Sequence, residues 1–387
     1  MKRHSTPQFS LSGEQIESIA RWREVARTRL LPIARGGQPH RVNRPLVAVL
    51  GEQGLIGRIL PASHGGARRI STFELCLLRE AIAMECTDAE TALALQGLGG
   101  YPLIQFGGEA VAAGWADSLV QGTAVAGFAL SEPDAGSDVG NLSLRAEREP
   151  GGFRLNGTKT WISNAPEADV YTLFARTSGE SGPRGITAFA LPGQTEGLRG
   201  QALRMVSPHP MGRLELADVF VPDEHVLGAV DHGFAVAMET LNLFRPSVGA
   251  YAVGMAQAAL DATIAHAAQR VVFGRPLREL QAVAHRTAEM ATRVQAARLL
   301  VYSAAAAADA NDSPAPEAAA MAKLFATETA QQVVDWAVQV HGAAALEEGH
   351  QLEHLYRDVR APRIYEGASE IQREIIGRAL FRDARGR

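Results

Sequence analysis

Twice along this 387-residue chain the spacing of apolar residues changes, from helical to strand-like near Gly122 and back to helical from Gly233 onward. A segment buries one face only if its apolar period matches its backbone, three to four residues for a helix and two for a strand, so no single type of layer accommodates the sequence. The first block opens with Ser12 and Gln15, a capping-box pattern ahead of Ile16, Ile19, Ala20 and Trp22, and a second apolar stripe runs from Thr72 to Met84. Between them, Leu60-Pro-Ala-Ser-His-Gly-Gly has the chemistry of a turn joining packed helices. The middle block places short strand-like runs at 123–130, 152–156, 170–176, 185–191 and 218–221 between clusters of Gly, Pro, Asn and Asp, the pattern of an antiparallel sheet or partly closed barrel. The last block reads as helices over 244–271, 280–308, 315–340 and 369–382. It is rich in alanine, which favours helix and allows close helix contacts, with a short loop after the alanine-rich stretch that begins at Ala304. The expected fold is therefore α+β and multidomain: an N-terminal α-helical domain over 1–120, a middle antiparallel β domain over 121–232 and a C-terminal four-helix bundle over 233–387.

Bulk properties narrow the partners. Acidic and basic side chains number 42 and 38, a formal net charge of -4, which provides no broad attraction to nucleic acid or to an anionic membrane. No apolar run is long enough to span a bilayer, and the polar start Met-Lys-Arg-His-Ser lacks the core of a signal peptide, so a soluble, unprocessed, cytoplasmic protein is expected. Cys76 and Cys86 have no metal-ligand neighbours and read as free thiols, and no metal site is expected.

Three stretches carry chemistry. In Phe128-Ala-Leu-Ser-Glu-Pro-Asp-Ala-Gly-Ser-Asp138 a strand runs into a turn that exposes N–H groups and the hydroxyls of Ser131 and Ser137. Such a turn either grips a polar ring edge or phosphate, or simply caps itself. In Asn156-Gly-Thr-Lys-Thr-Trp-Ile-Ser-Asn164 a glycine-bearing hairpin turn feeds a strand in which Trp161 and Ser163, two residues apart, share one face. Glu366 precedes Gly367, and Ser369 with Gln372 forms a second capping-box pattern, so its carboxylate belongs to a turn before a helix, free to point into a cleft or to serve the helix's positive end.

Taken in order, these stretches resemble the flavin-binding and catalytic motifs of the acyl-CoA dehydrogenase family, and the resemblance extends over nearly the whole chain. It implies FAD as cofactor, with Phe128, Leu130, Ser131, Trp161, Ile162 and Ser163 against the flavin, and Ser137 against the pantetheine arm of an acyl-CoA. The stretch Arg270-Val-Val-Phe-Gly-Arg-Pro-Leu with Gln281 resembles the family's Arg-x-x-Phe-Gly-x-Pro-Leu plus Gln motif. Arg270, Phe273 and Gln281, together with Gln339, Val340, Gly342 and Ala343, would reach the FAD of a neighbouring subunit, which implies a homo-oligomer, a tetramer built as a dimer of dimers. Ala368 and Glu370 complete the implied cofactor contacts, and Asn242, Arg245, Tyr365 and Gly367 the implied substrate contacts.

The reaction so implied is α,β-dehydrogenation of an acyl-CoA to its trans-2-enoyl-CoA in fatty acid metabolism. Glu366 removes the α-proton, flavin N5 accepts the β-hydride and an electron-transfer flavoprotein collects the electrons. Relatives such as isovaleryl-CoA dehydrogenase carry the base at a position that aligns with Phe244, which takes no proton. An acyl-CoA oxidase, a flavin monooxygenase, a dehydrogenase of carrier-protein thioesters and a flavin-free protein on the same fold are the alternatives. The chain departs from the family at Asn242, where aspartate is common, and at Gly342-Ala-Ala-Ala345, where Gly-Gly-x-Gly is usual. In Gln96-Gly-Leu-Gly-Gly-Tyr-Pro102 the glycines either leave room for a branched, cyclic or longer acyl group or serve helix packing.

Overall fold

The computed structural model describes residues 11–60, 70–180, 182–310 and 316–385. The turn expected after Leu60 and residues 311–315 of the expected loop lie outside the described residues. Six helices come first: α1 (Gly13–Val25), α2 (Leu31–Arg35), α3 (Arg44–Glu52), α4 (Thr72–Ala83), α5 (Thr87–Gln105) and α6 (Glu109–Val120). Eight strands follow: β1 (Ala126–Ala129), β2 (Arg145–Glu149), β3 (Gly152–Ser163), β4 (Val170–Arg176), β5 (Ile186–Pro192), β6 (Leu198–Leu203), β7 (Met211–Pro222) and β8 (Val226–Leu227). The chain then forms α7 (Gly233–Gln269), the small hairpin β9 (Val271–Val272) and β10 (Arg275–Pro276), and the helices α8 (Gln281–Ala310), α9 (Pro316–His341), α10 (Gln351–Asp358) and α11 (Ser369–Arg385). Helix, sheet, helix is the order the apolar spacing prescribes. The capping box at α1 is formed, with Gln15 N donating to Ser12 Oγ at 3.2 Å and Ser12 N to Gln15 Oε1 at 2.9 Å.

These elements pack as two compact units that cut across chain order, one of Thr28–Ile70 and Asp88–Leu241, the other of Met1–Arg27, Ser71–Thr87 and Asn242–Arg387. The first unit holds the sheet, in the order β6-β7-β3-β2-β4-β5-β8 with β1 paired to β4. Most neighbours are antiparallel, but β1 lies parallel to β4, and β2 meets β4 in parallel register at Arg145 and Arg176. A parallel pair needs a long connection, and the β2–β3 hairpin supplies it between β1 and β4. The turn expected at Asn156-Gly157 lies inside β3 instead, at a register shift against β7, while Gly151 (φ 83°) turns the hairpin. Extra residues accommodated as a bulge keep a strand running where a turn signal alone would end it.

Helix α5 edges the sheet through Gln96, which is fully buried, accepts from Ala126 N (2.8 Å) and donates to Ala124 O (2.9 Å). A Cβ on Gly99 would stand 2.7 Å from Gly127 N, so this glycine serves close packing of helix on strand. That favours the packing reading of the 96–102 segment.

In the second unit α9 lies against α8, α10 and α11, while α4 lies against α1 and α8. Helix α7 approaches through glycines: a Cβ on Gly249 would stand 2.8 Å from Val301 Cγ2, and one on Gly254 would stand 2.6 Å from both Ala83 Cβ and Glu80 O. The four expected C-terminal helices are thus joined by α1 and α4. Buried polar groups fix the register: Glu80 accepts from Arg298 Nε (2.7 Å) and Tyr302 OH (2.9 Å), and Asp309 accepts from the N–H groups of Thr72 (2.7 Å) and Phe73 (3.0 Å). Cys76 and Cys86 are buried and form no disulfide, and among the described residues no helix is long and apolar enough to cross a membrane.

Because the atoms facing Gly254 are a backbone oxygen and an alanine Cβ, neither at the end of a flexible side chain, Gly254→Val is expected to destabilise this unit by about 1–3 kcal/mol through overpacking. Gly377→Ala, with nothing within 4 Å of the added Cβ, is expected to be neutral or to stabilise by up to about 1 kcal/mol. Denaturant midpoints of the two variants provide the comparison.

Candidate functional site

The turn between Ile364 and α11 places Glu366 in the left-handed region, at φ 51°, followed by Gly367 at φ 89°. For a residue with a Cβ that conformation is costly and needs support from its surroundings. The support is visible. Lys323 of α9, fully buried, donates to Tyr365 O at 2.9 Å and Gly367 O at 2.6 Å, and Gln372 Nε2 donates to Gly367 O at 2.8 Å. The capping box expected at Ser369 is not formed. Ser369 Oγ donates instead to Glu328 Oε1 (2.7 Å), because Gln372 is drawn to the Gly367 carbonyl.

Glu366 Oε2 is shut off from solvent and has no hydrogen-bond partner among the described residues, an arrangement rare for a carboxylate. Burial raises its pKa above the ordinary carboxylate range, against the opposing fields of Arg79, Lys323 and Arg245. Arg245 of α7 donates through Nη1 to Asn242 Oδ1 at 2.7 Å, while its Nε is buried without a partner. Arg79 of α4, also buried, donates to Ser247 Oγ at 2.6 Å, and Ser247 in turn donates to Phe244 O at 2.6 Å. Phe244 is completely buried. Glu366, Tyr365, Gly367, Arg245 and Asn242, separated by more than a hundred positions in sequence, therefore meet in one unit.

In the sheet unit the two other motifs are laced together. Lys159 of β3 donates to Leu130 O (2.9 Å) and pairs with Glu132 (2.8 Å), and Thr160 N donates to Ser131 O (3.0 Å). Glu132 also accepts from the N–H groups of Ser143 and Leu144. Burial opposes both charges and pulls the Lys159 pKa down. For Glu132, the ammonium and the N–H donors outweigh burial and hold its pKa below the ordinary value. Around this lacing, the hydroxyls of Ser131 and Ser163 make no hydrogen bond to another described residue. Trp161, at φ 56° beside a second register shift in β3, is 47% exposed, while Leu130 and Ile162 are buried and Phe128 meets Phe174 edge-on at 5.0 Å. An exposed indole beside two unpaired hydroxyls suits a flat heterocycle with a polar rim. Ser137 is exposed in the turn that follows.

A third set lies on the surface of the helical unit. Phe273 (φ 50°) and Gly274 (φ 80°) form the tip of the β9–β10 hairpin, and Phe273 is 95% exposed. Arg270, Gln281, Gln339, Gly342, Ala343 and Glu370 are exposed, while Val340 and Ala368 are half-buried. Sequence reasoning missed Arg79, Lys323, Glu132 and Lys159. For Lys323 the signal was present: it falls on the apolar stripe of Ala319, Ala320, Ala326 and Ala330, where a lysine is out of place.

Three family profiles match in order: "Acyl-CoA dehydrogenase, N-terminal domain" over residues 12–123, "middle domain" over 127–219 and "C-terminal domain" over 231–381. The cyclohexane-1-carbonyl-CoA dehydrogenase of Geobacter metallireducens is 33% identical over 366 residues, covering 94% of this chain and 96% of that protein. Among solved structures, glutaryl-coenzyme A dehydrogenase in complex with glutaryl-CoA superposes with a TM-score of 0.90 at 33% identity over 96% of both chains. The FAD complex of PigA superposes with a TM-score of 0.89 at 28% identity over 97% of this chain and 99% of that one.

Lys159→Met, which leaves Glu132 buried without its cation, is expected to cost about 3–5 kcal/mol of stability. The Glu132 contribution has a defined sign: its folded pKa is depressed, so the stabilisation is present above the ordinary carboxylate range and is lost as pH falls through the folded value. Denaturant titrations of the parent and the Lys159→Met variant across acidic pH measure both effects.

Proposed function

The chain belongs to the acyl-CoA dehydrogenase family of oxidoreductases, and from that membership we propose that it dehydrogenates an acyl-CoA thioester between its α and β carbons, with Glu366 as the base. The observation that carries this reading is the partnerless, desolvated Oε2 of Glu366. The α-proton of a thioester is weakly acidic, so its acceptor must have an unusually high proton affinity, and burial provides that. The same carboxylate is kept from being protonated too early by Arg79, Lys323 and Arg245. As the α-carbon loses its proton, negative charge spreads to the thioester oxygen, which needs a hydrogen-bond donor of its own. The backbone N–H of Glu366 is the donor expected at the thioester oxygen, a contact of a type worth about 3–4 kcal/mol in the transition state. Phe244 leaves no rival base at its position.

The residues of the sheet unit fit FAD. Trp161 offers an aromatic face, and Ser131 and Ser163 offer hydroxyls without partners among the described residues, on two segments that Lys159 and Thr160 tie together. When bound, FAD supplies the two-electron chemistry that no side chain provides, accepting the β-hydrogen as hydride. Phe128 and, through their backbones, the buried Leu130 and Ile162 are further contacts of that cofactor, and Ser137 serves the pantetheine arm. Arg270, Phe273, Gln281, Gln339, Val340, Gly342 and Ala343 serve the cofactor of a second copy in a homotetramer, a reading supported by Phe273 standing 95% exposed at a hairpin tip, where a second molecule can reach it. Ala368 and Glu370 are further cofactor contacts, and Asn242, Arg245, Tyr365 and Gly367 belong to the substrate side. An electron-transfer flavoprotein is the acceptor that fits this chemistry.

Glu366→Gln keeps the shape of the site and removes the base. It is expected to retain flavin and bind acyl-CoA while flavin bleaching by substrate slows by about 10²–10⁴-fold. Bleaching at the parental rate would sink the assignment. In the parent, kcat/KM is expected to fall as pH drops through the Glu366 pKa, which lies above the ordinary carboxylate range; a profile flat down into that range would contradict a buried base.

A further inference from the structure

We infer that Lys323 is the positioning residue of the Glu366 site: its ammonium clamps the backbone on both sides of the base and places a buried positive charge in the base's field. The inference rests on the reading of Glu366 as proton acceptor. Lys323 lies on the buried stripe of α9, where its side chain has no route to water, and two of its three protons go to Tyr365 O and Gly367 O. Those carbonyls bracket Glu366, so one side chain fixes both peptide groups that define the left-handed turn. Gln372 gives Gly367 O a second donor, which shows that a neutral amide serves as a clamp at this turn.

A purely structural clamp could therefore be neutral. A buried ammonium that touches only carbonyls gives up its hydration without a contacting anion, which is the more costly choice. What the charge adds is its action on Glu366, the largest of the charged influences on Lys323. The other charged groups facing the pair are Arg79 from α4 and Arg245 from α7, Glu328 from α9 itself and Glu370 from α11. Burial lowers the Lys323 pKa to about 8, so the ammonium persists at neutral pH and is lost in mildly alkaline solution. Removing the cation favours the protonated form of Glu366. The acid limb of activity then moves to higher pH.

The test uses the flavin-loaded full-length protein with Lys323→Met, Lys323→Arg and Glu366→Gln, each mixed anaerobically with acyl-CoA across pH while flavin bleaching is followed, alongside flavin content and thermal unfolding. Lys323→Met is expected to keep its flavin, to bleach roughly 10²-fold more slowly and to shift the acid limb up by about one pH unit. Lys323→Arg, which keeps the charge but not the reach of the ammonium, is expected to return the limb to its parental position with only part of the rate. The parental rate and profile in Lys323→Met would overturn the inference, as would a loss uniform at all pH values that arginine does not rescue. If Lys323→Met does not fold, Lys323→Arg carries the test alone, and a shifted acid limb in that variant overturns it. Parental bleaching in Glu366→Gln would remove the base reading itself. A dead Glu366→Gln beside an unaltered Lys323→Met would overturn only the role of Lys323.

Discussion

A carboxylate with one oxygen shut off from water, in the field of three buried cations, imposes the main constraint on the helical unit. Glu366 Oε2 has no hydrogen bond among the described residues, so the support of this residue comes through the backbone and at a distance. Lys323 holds the peptide groups around it, Arg245 is anchored to Asn242, and Arg79 is anchored to Ser247. The three cations lie on three different helices, so α4, α7 and α9 must pack together before all of them act on Glu366.

The sheet unit uses a related device. Lys159 is as thoroughly buried as Lys323 and likewise donates to a backbone carbonyl, that of Leu130, next to a residue with an unpaired hydroxyl. The two differ in their counter-charge. Lys159 contacts Glu132 directly and makes a structural ion pair, whereas Lys323 contacts only carbonyls and leaves its charge to act on Glu366. A buried lysine thus fastens a loop in one unit and, in the other, fastens a turn while its charge acts on a buried carboxylate oxygen.

The order of elements was legible in the sequence because apolar period reports burial directly, and the Ser12 capping box formed as its pattern implies. Tertiary competition accounts for the differences. Gln372 turns to the Gly367 carbonyl instead of capping α11, Asn156-Gly157 is absorbed into β3 as a bulge, and β1 pairs in parallel with β4, a partner that no local pattern names. Glu366, Tyr365 and Gly367 could be picked out as one motif, but Arg79 and Lys323 could not, since their roles depend on helices distant in sequence. A lysine on an apolar stripe was the only trace they left.

Anaerobic titration of the purified parent protein with a panel of acyl-CoA thioesters, followed through the visible flavin spectrum and the thioester products, tests the central claim most directly. At least one acyl class is expected to bleach the flavin in step with formation of its 2-enoyl thioester. A flavin left unbleached by every thioester, or bleached without an enoyl product, would contradict it.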